Sequence, residues 1–271
     1  MTRFPDPLFW RAPYVPWVLF ISVLTMTTMG CQRKVPSQIA ETEKADTRIV
    51  GNDSLTSFRL AKKKVYQINA MLSRTFYCGC TYHERWIAKE TCAFETTRFA
   101  KRATRTEVEH IVPVHAFGQS FTAWRDGDAA CVDRKGQRYR GRRCATKVVP
   151  LFRRMSADLY NLRPVVGALN ALRSNLRMGE VEGEAREFGG CNIEIEAGVF
   201  EPPDEIKGDV ARTYLYMDSA YPGHGILGRK QRKLMNAWHR LDPVSDGERR
   251  WAKAVKAIQG NVNPYITGER Q

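Results

Sequence analysis

The stretch EVEHIVP, residues 107–113, places a carboxylate directly beside an imidazole, and a proline closes the short apolar run that follows. Val108–Val112 predicts a short strand, which Pro113 ends because proline cannot donate to a sheet ladder. Glu109 offers a hard oxygen ligand of the kind that Mg²⁺ and Ca²⁺ prefer. His110, with an ordinary pKa of about 6.5, can accept a proton from water near neutral pH. The pair therefore suggests metal-assisted hydrolysis of a phosphodiester.

A surface turn is the plain alternative for this pair, because a short motif is only a hypothesis until its structural context is known. Strand geometry adds an objection, since neighbouring strand residues point to opposite faces. Glu109 and His110 can serve one site only if the backbone turns at the end of the strand or at a bulge.

The composition is strongly basic. The chain has 271 residues, with 43 Lys and Arg against 29 Asp and Glu, a net charge of +14 and a pI of 9.6. Such a charge favours polyanions, namely nucleic acid, anionic lipid or envelope polysaccharide. A soluble basic protein without such a partner is the alternative. The length allows one large domain or two small ones.

The N-terminal region has the pattern of a targeting segment. Arg3 and Arg11 precede an apolar run at residues 15–29, which predicts a signal peptide over residues 1–30. The run is shorter than the ~20 residues that a spanning helix needs. We therefore expect a periplasmic or secreted protein.

Cys31 follows Gly30 at the end of this apolar run, as in a bacterial lipoprotein processing site, although Thr28 stands where such sites usually carry Leu. Cys31 is therefore a candidate for lipidation, which would make the protein an outer-membrane lipoprotein. Ordinary cleavage nearby is the alternative. Residues 31–56 are polar and without periodicity, which predicts a flexible lead-in or tether.

Six cysteines remain, an even number that suggests three disulfides in an exported chain: Cys78, Cys80, Cys92, Cys131, Cys144 and Cys191. We expect Cys131 and Cys144 to pair, since they flank a charged, glycine-containing stretch. The other pairings stay open. A zinc site at Cys78, Cys80 and Cys92 is the alternative, although Cys-x-Cys departs from the usual ligand spacing.

The rest of the chain predicts one domain, mainly helical with a few short strands. Apolar spacing indicates helices within residues 55–72, 165–176, 209–217, 229–240 and 245–259. Residues 191–196 alternate as a strand does, whereas we expect residues 76–100 to be irregular and residues 124–127 to form a turn. Ser245 with Glu248 fits a capping box.

Two basic segments are candidates for contacts with nucleic acid. Residues 131–147 form a basic loop that includes Arg142 and Arg143. In the predicted helix at 165–176, three polar side chains lie opposite the leucines: Asn170, Arg173 and, just beyond its end, Arg177. Residues four apart on a helix are neighbours, so the two arginines would suit phosphate and sugar contacts. A solvated face is the alternative for both segments.

Several motifs, in order along the chain, resemble those of the bacterial endonuclease I family: residues 76–80, 108–113, 117–118, 158–162, 201–203, 211–217, 236–238 and 259–265. The resemblance covers about residues 58–266. Members are secreted or periplasmic nucleases, stabilised by disulfides, that cut DNA and often RNA with little sequence preference. It implies a nuclease domain over residues 57–267.

The resemblance also implies a fold and a site. The fold would be α+β, a mainly helical single domain with a ββα-metal motif whose bent hairpin answers the geometric objection. One divalent ion, Mg²⁺ with Mn²⁺ or Ca²⁺ as alternatives, would lie between Glu109 and Asn161. His110 would be the general base, and the products would carry 5′ phosphates. An arginine would brace the phosphate, with Arg125 and Arg173 as candidates.

The chain departs from the family at two places. Residues 246–271 lack the further cysteine pair that members often have, and His115 stands where the family carries aromatic or other residues. Neither departure involves the three implied core residues, and we assign His115 no role.

We expect a monomeric endonuclease acting on double-stranded DNA, and also on single-stranded DNA and RNA. One rival is an envelope DNA-binding protein with an inactive nuclease fold. The other is a zinc hydrolase of peptides or cell wall, which is disfavoured because His83-Glu84 lacks the second histidine of a His-Glu-x-x-His motif.

Overall fold

The structure is a computed structural model that describes residues 49–70, 73–183 and 187–269. The predicted signal peptide, Cys31 and most of the predicted lead-in lie outside these residues. Within the described part of the chain, none of the helices has both the length and the apolar character needed to cross a membrane.

The described chain contains both helices and short strands, which confirms a mixed, mainly helical fold. The helices are α1 Phe58–Asn69, α2 Ala100–Ala103, α3 Val114–Gly118, α4 Thr122–Arg125, α5 Arg142–Val148, α6 Pro150–Ala157, α7 Gly167–Arg173, α8 Lys207–Ala220, α9 Arg229–Leu241, α10 Asp246–Gln259 and α11 Pro264–Thr267. The strands are β1 Tyr82–His83, β2 Trp86–Ile87, β3 Thr106–His110, β4 Leu162–Val166, β5 Arg177–Met178, β6 Glu194–Glu196 and β7 Val199–Glu201.

The predicted Glu-His strand, residues 108–112, is observed two residues earlier as β3, which ends at His110 rather than at Pro113 and pairs antiparallel with β4. His110 lies opposite Leu162 in this register. The segment between the two strands carries α3 to α6, and a short 3₁₀ helix at Leu159–Asn161 leads into β4. Asn161 therefore lies at the same end of the strand pair as His110, although 51 positions separate them in sequence.

The predicted helix over residues 165–176 is wrong at both ends. Val165 and Val166 complete β4, and α7 spans only Gly167–Arg173. Two β-branched residues directly after Pro164 favour extended backbone. Ser174 then adopts φ 50°, which stops the helix, and Arg177 falls in β5. Arg173 and Arg177 are therefore not neighbours on one helix face.

Two further local predictions need correction. Residues 122–125 form the short helix α4 where we expected a turn from residue 124. The last third of the predicted basic loop forms α5, from Arg142 onward.

The core is centred on α8, which packs against α9 and has a buried run from Val210 to Met217. The predicted helices in the C-terminal third are confirmed with slightly different bounds. Ser245 caps α10, since its Oγ accepts a hydrogen bond from the Glu248 N–H at 3.1 Å. The Glu248 carboxylate is instead bound by the buried Arg212 at 2.7 Å, so only half of the predicted capping box forms.

Three disulfides join the six cysteines of the described chain. The predicted pair Cys131–Cys144 is confirmed, and the others are Cys78–Cys191 and Cys80–Cys92. Because Cys78, Cys80 and Cys92 all form disulfides, their sulfurs are not available as zinc ligands, and the zinc alternative is wrong at this place.

The last residues of the predicted lead-in are attached to the domain. Asn52 is 2% exposed, and its backbone N–H donates to Tyr221 Oη at 2.7 Å and to the Asp158 carboxylate at 3.3 Å. Its side chain donates to the Arg154 carbonyl at 2.8 Å. The folded unit therefore begins before residue 57.

Candidate active site

Glu109 is among the residues that line a cavity of about 900 Å³. Its side chain is 3% exposed. One carboxylate oxygen, Oε1, accepts a hydrogen bond from Tyr77 Oη at 3.1 Å and lies 3.4 Å from Arg173 Nη1. The other oxygen, Oε2, is buried without a hydrogen-bond partner.

The charge of Glu109 is poorly compensated by the protein. Burial raises the pKa of the Glu109 carboxyl to about 7, although Arg173 and Tyr77 act in the opposite direction. A buried carboxylate oxygen without a partner is costly. A divalent cation at Oε2 would supply both the missing ligand and the missing positive charge, so this residue fits a metal site.

Glu109 would be the main anionic ligand of such an ion. Across the described residues, no cluster of three or more His, Cys, Asp or Glu side chains could hold a metal. A site with one carboxylate and neutral oxygens is typical of Mg²⁺, which keeps several waters and takes substrate phosphate oxygens as ligands.

His110 lines the same cavity. Its Nε2 lies 2.9 Å from the carbonyl oxygen of Ser156. Because a carbonyl can only accept, Nε2 carries the hydrogen and Nδ1 keeps its lone pair. The Phe58 ring covers the imidazole, with 4.6 Å between centroids.

Burial, with Arg142 as a second contribution, lowers the pKa of His110 to about 3. The imidazole is therefore neutral at physiological pH. A neutral imidazole with a fixed tautomer is suited to accept a proton at Nδ1.

Glu109 and His110 are the last two residues of β3 and both line the cavity, which answers the geometric objection. β3 stops at His110, and the next residue, Ile111, donates its N–H to the Asn161 carbonyl at 3.0 Å. Arg173 donates to the carbonyls of His110 and Ile111. These bonds fix the turn after β3, so Glu109 and His110 both contribute to one cavity.

Asn161 supports the same turn. Its Oδ1 accepts from the Val112 N–H at 2.7 Å, and its Nδ2 donates to the Val112 carbonyl at 3.0 Å. The side chain is fully buried. An amide oxygen has two lone pairs, so Oδ1 has one further acceptor position, but Asn161 is not among the residues that line the cavity.

The two arginines expected to brace the phosphate are placed elsewhere. Arg173 is 1% exposed, and its guanidinium is occupied by Glu109, two backbone carbonyls and Tyr214 Oη at 3.2 Å. Arg125 donates to the Gln119 carbonyl and does not line the cavity. Arg173 is therefore buried beside Glu109 and does not line the cavity, which suits a positioning role.

Of the four other candidates for nucleic-acid contact, two line the cavity and two do not. Arg142 lines the cavity, whereas Arg143 stacks on the Tyr139 ring with Cζ 4.0 Å from its centroid. Asn170 lines the cavity but its amide donates to Glu107 at 2.8 Å. Arg177 is exposed in β5 and lies outside the cavity lining.

Sequence reasoning missed four contributors to the site: Phe58, Tyr77, Ser156 and Tyr214. Tyr77 lies within one of the family-like segments, which was the one signal available for it. Ser156 contributes through its backbone carbonyl, which no residue-type pattern can reveal. The cations Arg59, Lys62 and Lys63 of α1 also line the cavity and were assigned no role from the sequence.

The chain is similar to known nucleases over most of its length. The family model for endonuclease I matches residues 42–269. An extracellular deoxyribonuclease of Aeromonas hydrophila is 33% identical over 227 residues, which cover 81% of this chain and 91% of that protein. Endonuclease-1 of Buchnera aphidicola subsp. Acyrthosiphon pisum (strain APS) is 32% identical over 222 residues, with 79% and 81% coverage.

A periplasmic deoxyribonuclease of Aeromonas hydrophila is 32% identical over 223 residues, with 79% of this chain and 87% of that protein covered. The family match spans most of the chain and includes every residue of the cavity described above. The chain belongs to the endonuclease I family.

Proposed function

We propose that this protein is a metal-dependent endonuclease that hydrolyses phosphodiester bonds of DNA with little sequence preference. The observation that carries the proposal is the pairing, in one cationic cavity, of a buried carboxylate oxygen without a partner and a neutral imidazole with a fixed tautomer. Relatives named deoxyribonucleases support DNA as the substrate.

In this proposal β3, β4 and α7 form the ββα-metal unit. Glu109 Oε2 and Asn161 Oδ1 would hold one divalent ion, with Mg²⁺ as the expected ion and Mn²⁺ or Ca²⁺ as alternatives. When bound, the ion supplies positive charge to the scissile phosphate and to the leaving oxygen.

His110 is the general base. Its Nδ1 accepts a proton from the attacking water, while the Ser156 carbonyl stabilises the resulting imidazolium through Nε2–H. The new P–O bond forms to the water oxygen as the bond to the 3′ oxygen breaks, so the products carry 5′ phosphates. Arg142, at the edge of the cavity, replaces Arg125 and Arg173 as the cation that braces the phosphate.

The protein is further proposed to act outside the cytoplasm as a monomer, in keeping with its three disulfides and with relatives named extracellular or periplasmic. Cys31 stays a candidate for lipid attachment. Single-stranded DNA and RNA are proposed as further substrates, since the net charge of +14 attracts any nucleic acid backbone.

The direct test is plasmid cleavage by the oxidised, purified protein in Mg²⁺ and in EDTA. We expect nicking and then linearisation in Mg²⁺, and no cleavage in EDTA. A gel shift of the plasmid without cleavage in Mg²⁺ would instead support the rival, a DNA-binding protein with an inactive nuclease fold.

A further inference from the structure

Trp86 is a large aromatic side chain that the protein leaves in solvent. It is 63% exposed and lies in β2, which pairs with β1 so that Trp86 is opposite His83. On the other face of this hairpin Tyr82 is 5% exposed and packs edge-on against Tyr66. The hairpin is therefore anchored by Tyr82, and packing within the domain does not account for Trp86.

The position of Trp86 is linked to the active site through β3. Trp86 forms an antiparallel bridge with Arg105, and directly opposed residues share a face of a sheet. Arg105, Glu107 and Glu109 are two apart, so their side chains follow one another on one face. The Arg105 guanidinium lies 3.5 Å from the Glu107 carboxylate, which lines the cavity.

The row of side chains Arg105, Glu107 and Glu109 ends at the proposed metal ligand, Glu109. At about 3.4 Å per strand residue, Arg105 lies about 14 Å from Glu109 along β3. A strand in a stacked helix advances about 3.4 Å per nucleotide, and an unstacked single strand advances further, so at most about four nucleotides span this distance. A strand whose phosphate is at Glu109 would therefore bring a base a few nucleotides away to Trp86.

The electrostatics of the row suit a polyanion. The one carboxylate in it outside the metal site, Glu107, is bound by Arg102 at 2.5 Å, by Arg105 and by the Asn170 amide. Arg85, beside Trp86 in sequence, lines the cavity. Cations thus outnumber carboxylates between Trp86 and the cavity.

We propose that Trp86 is a stacking platform for an unpaired base of a single-stranded nucleic acid whose backbone continues into the cavity. The proposal rests on the proposed nuclease function and adds a binding subsite to it. Exposed aromatic rings beside cationic grooves bind single strands because every base has a free face to stack. In a duplex the bases already stack on each other, so Trp86 contributes little there.

The test compares Trp86→Ala with the unchanged protein in EDTA, by fluorescence anisotropy of labelled oligonucleotides. The probes are oligothymidylate, oligouridylate and a DNA hairpin duplex of equal phosphate number. We expect Trp86→Ala to weaken binding of the single strands by about 5- to 150-fold and to change duplex binding less than about twofold. Trp86→Phe should retain most of the affinity.

Leu241→Ala is the matched control, because Leu241 is an exposed apolar residue, 80% exposed, in the unrelated helix α9. It should leave all three affinities unchanged. If Trp86→Ala loses affinity for only one of the two single strands, the subsite is assigned to DNA or to RNA accordingly.

Equal weakening of single-strand and duplex binding, unchanged single-strand binding, or no single-strand binding by the unchanged protein would each overturn the proposal. Single-strand binding lost in Trp86→Ala, together with an unchanged protein that never cuts plasmid in Mg²⁺, would leave the subsite standing and refute the nuclease function.

Discussion

At the scale of single residues, burial shifts the pKa values of Glu109 and His110 in opposite directions. The pKa of Glu109 rises from its ordinary 4.5 to about 7, and that of His110 falls from 6.5 to about 3. In both cases burial disfavours the charged form. The site thus keeps its base unprotonated and leaves its carboxylate in need of a cation.

These two pKa shifts make the free energy of unfolding depend on pH in opposite ways. Glu109 contributes stability that is present below pH 4.5 and is lost as the pH rises through about 7. His110 contributes stability that is present above pH 6.5 and is lost as the pH falls through about 3. Between pH 4.5 and 6.5 the two slopes oppose each other.

Glu109→Gln should therefore change the pH dependence of stability in a defined way. The amide does not titrate, so the unfolding free energy of the variant minus that of the unchanged protein should rise between pH 4.5 and 7, with a slope approaching about 1.4 kcal/mol per pH unit. Urea denaturation in EDTA at several pH values measures this difference. A difference independent of pH would contradict the assigned pKa of Glu109.

Part of the candidate site could be proposed from the sequence. Glu109 and His110 could be proposed from their chemistry and adjacency, and Asn161 from the family resemblance. Arg173 could not be placed, because its burial depends on where α7 ends and on contacts with Glu109 and Tyr214. These contacts join positions far apart in the chain, which periodicity within one helix does not report.

At the scale of elements, the ends of strands and helices decide which cations reach the cavity. β3 stops at His110, and α5 begins at Arg142, so this first helical residue lies at the cavity. Arg143, one position on, turns to Tyr139. Two adjacent arginines of the same basic segment thus have different surroundings.

This difference makes Arg142 and Arg143 a matched pair for mutation. Arg142→Ala should lower kcat/KM for DNA cleavage by about 100-fold, because it removes a cation from the reacting phosphate. Arg143→Ala should lower it by less than about threefold, since exposed phosphate contacts contribute modestly. Steady-state cleavage of a short labelled duplex measures both, and similar losses in the two variants would refute the role given to Arg142.

Sequence patterns predicted most helices but not their exact limits. The long amphipathic helices α1, α9 and α10 carry a strong apolar period, and their positions were predicted. The predicted helix over residues 165–176 was wrong at its start because Leu169 and Leu172 suggested a helical period that continued back over the end of β4. A short strand leading directly into a short helix gives neither period enough residues to be recognised.

At the scale of the whole molecule, one of the three disulfides in the described chain links positions far apart in sequence. Cys78–Cys191 joins positions 113 residues apart, while the other two disulfides span 12 and 13 residues. The segment at Asn52 adds a non-covalent link, through Asp158 and Tyr221. The cysteine count predicted three disulfides, but a count cannot identify the long-range pair.

Loss of the long-range disulfide should destabilise the domain more than loss of a local one. Chain-entropy estimates give about 4.7 kcal/mol for a loop of about 100 residues and about 3 kcal/mol for one of about 15. We therefore expect Cys78→Ala/Cys191→Ala to lower the unfolding free energy more than Cys131→Ala/Cys144→Ala does. Urea denaturation of both double variants checks the order, and a reversed order would contradict this account.

The central claim is that His110 acts as the base in a metal-dependent hydrolysis, and single-turnover cleavage by His110→Ala tests it most directly. With duplex DNA and Mg²⁺, we predict a cleavage rate lower by about 100- to 10,000-fold and duplex affinity in EDTA within about threefold of the unchanged protein. A variant that binds DNA and still cuts at the normal rate would contradict the claim.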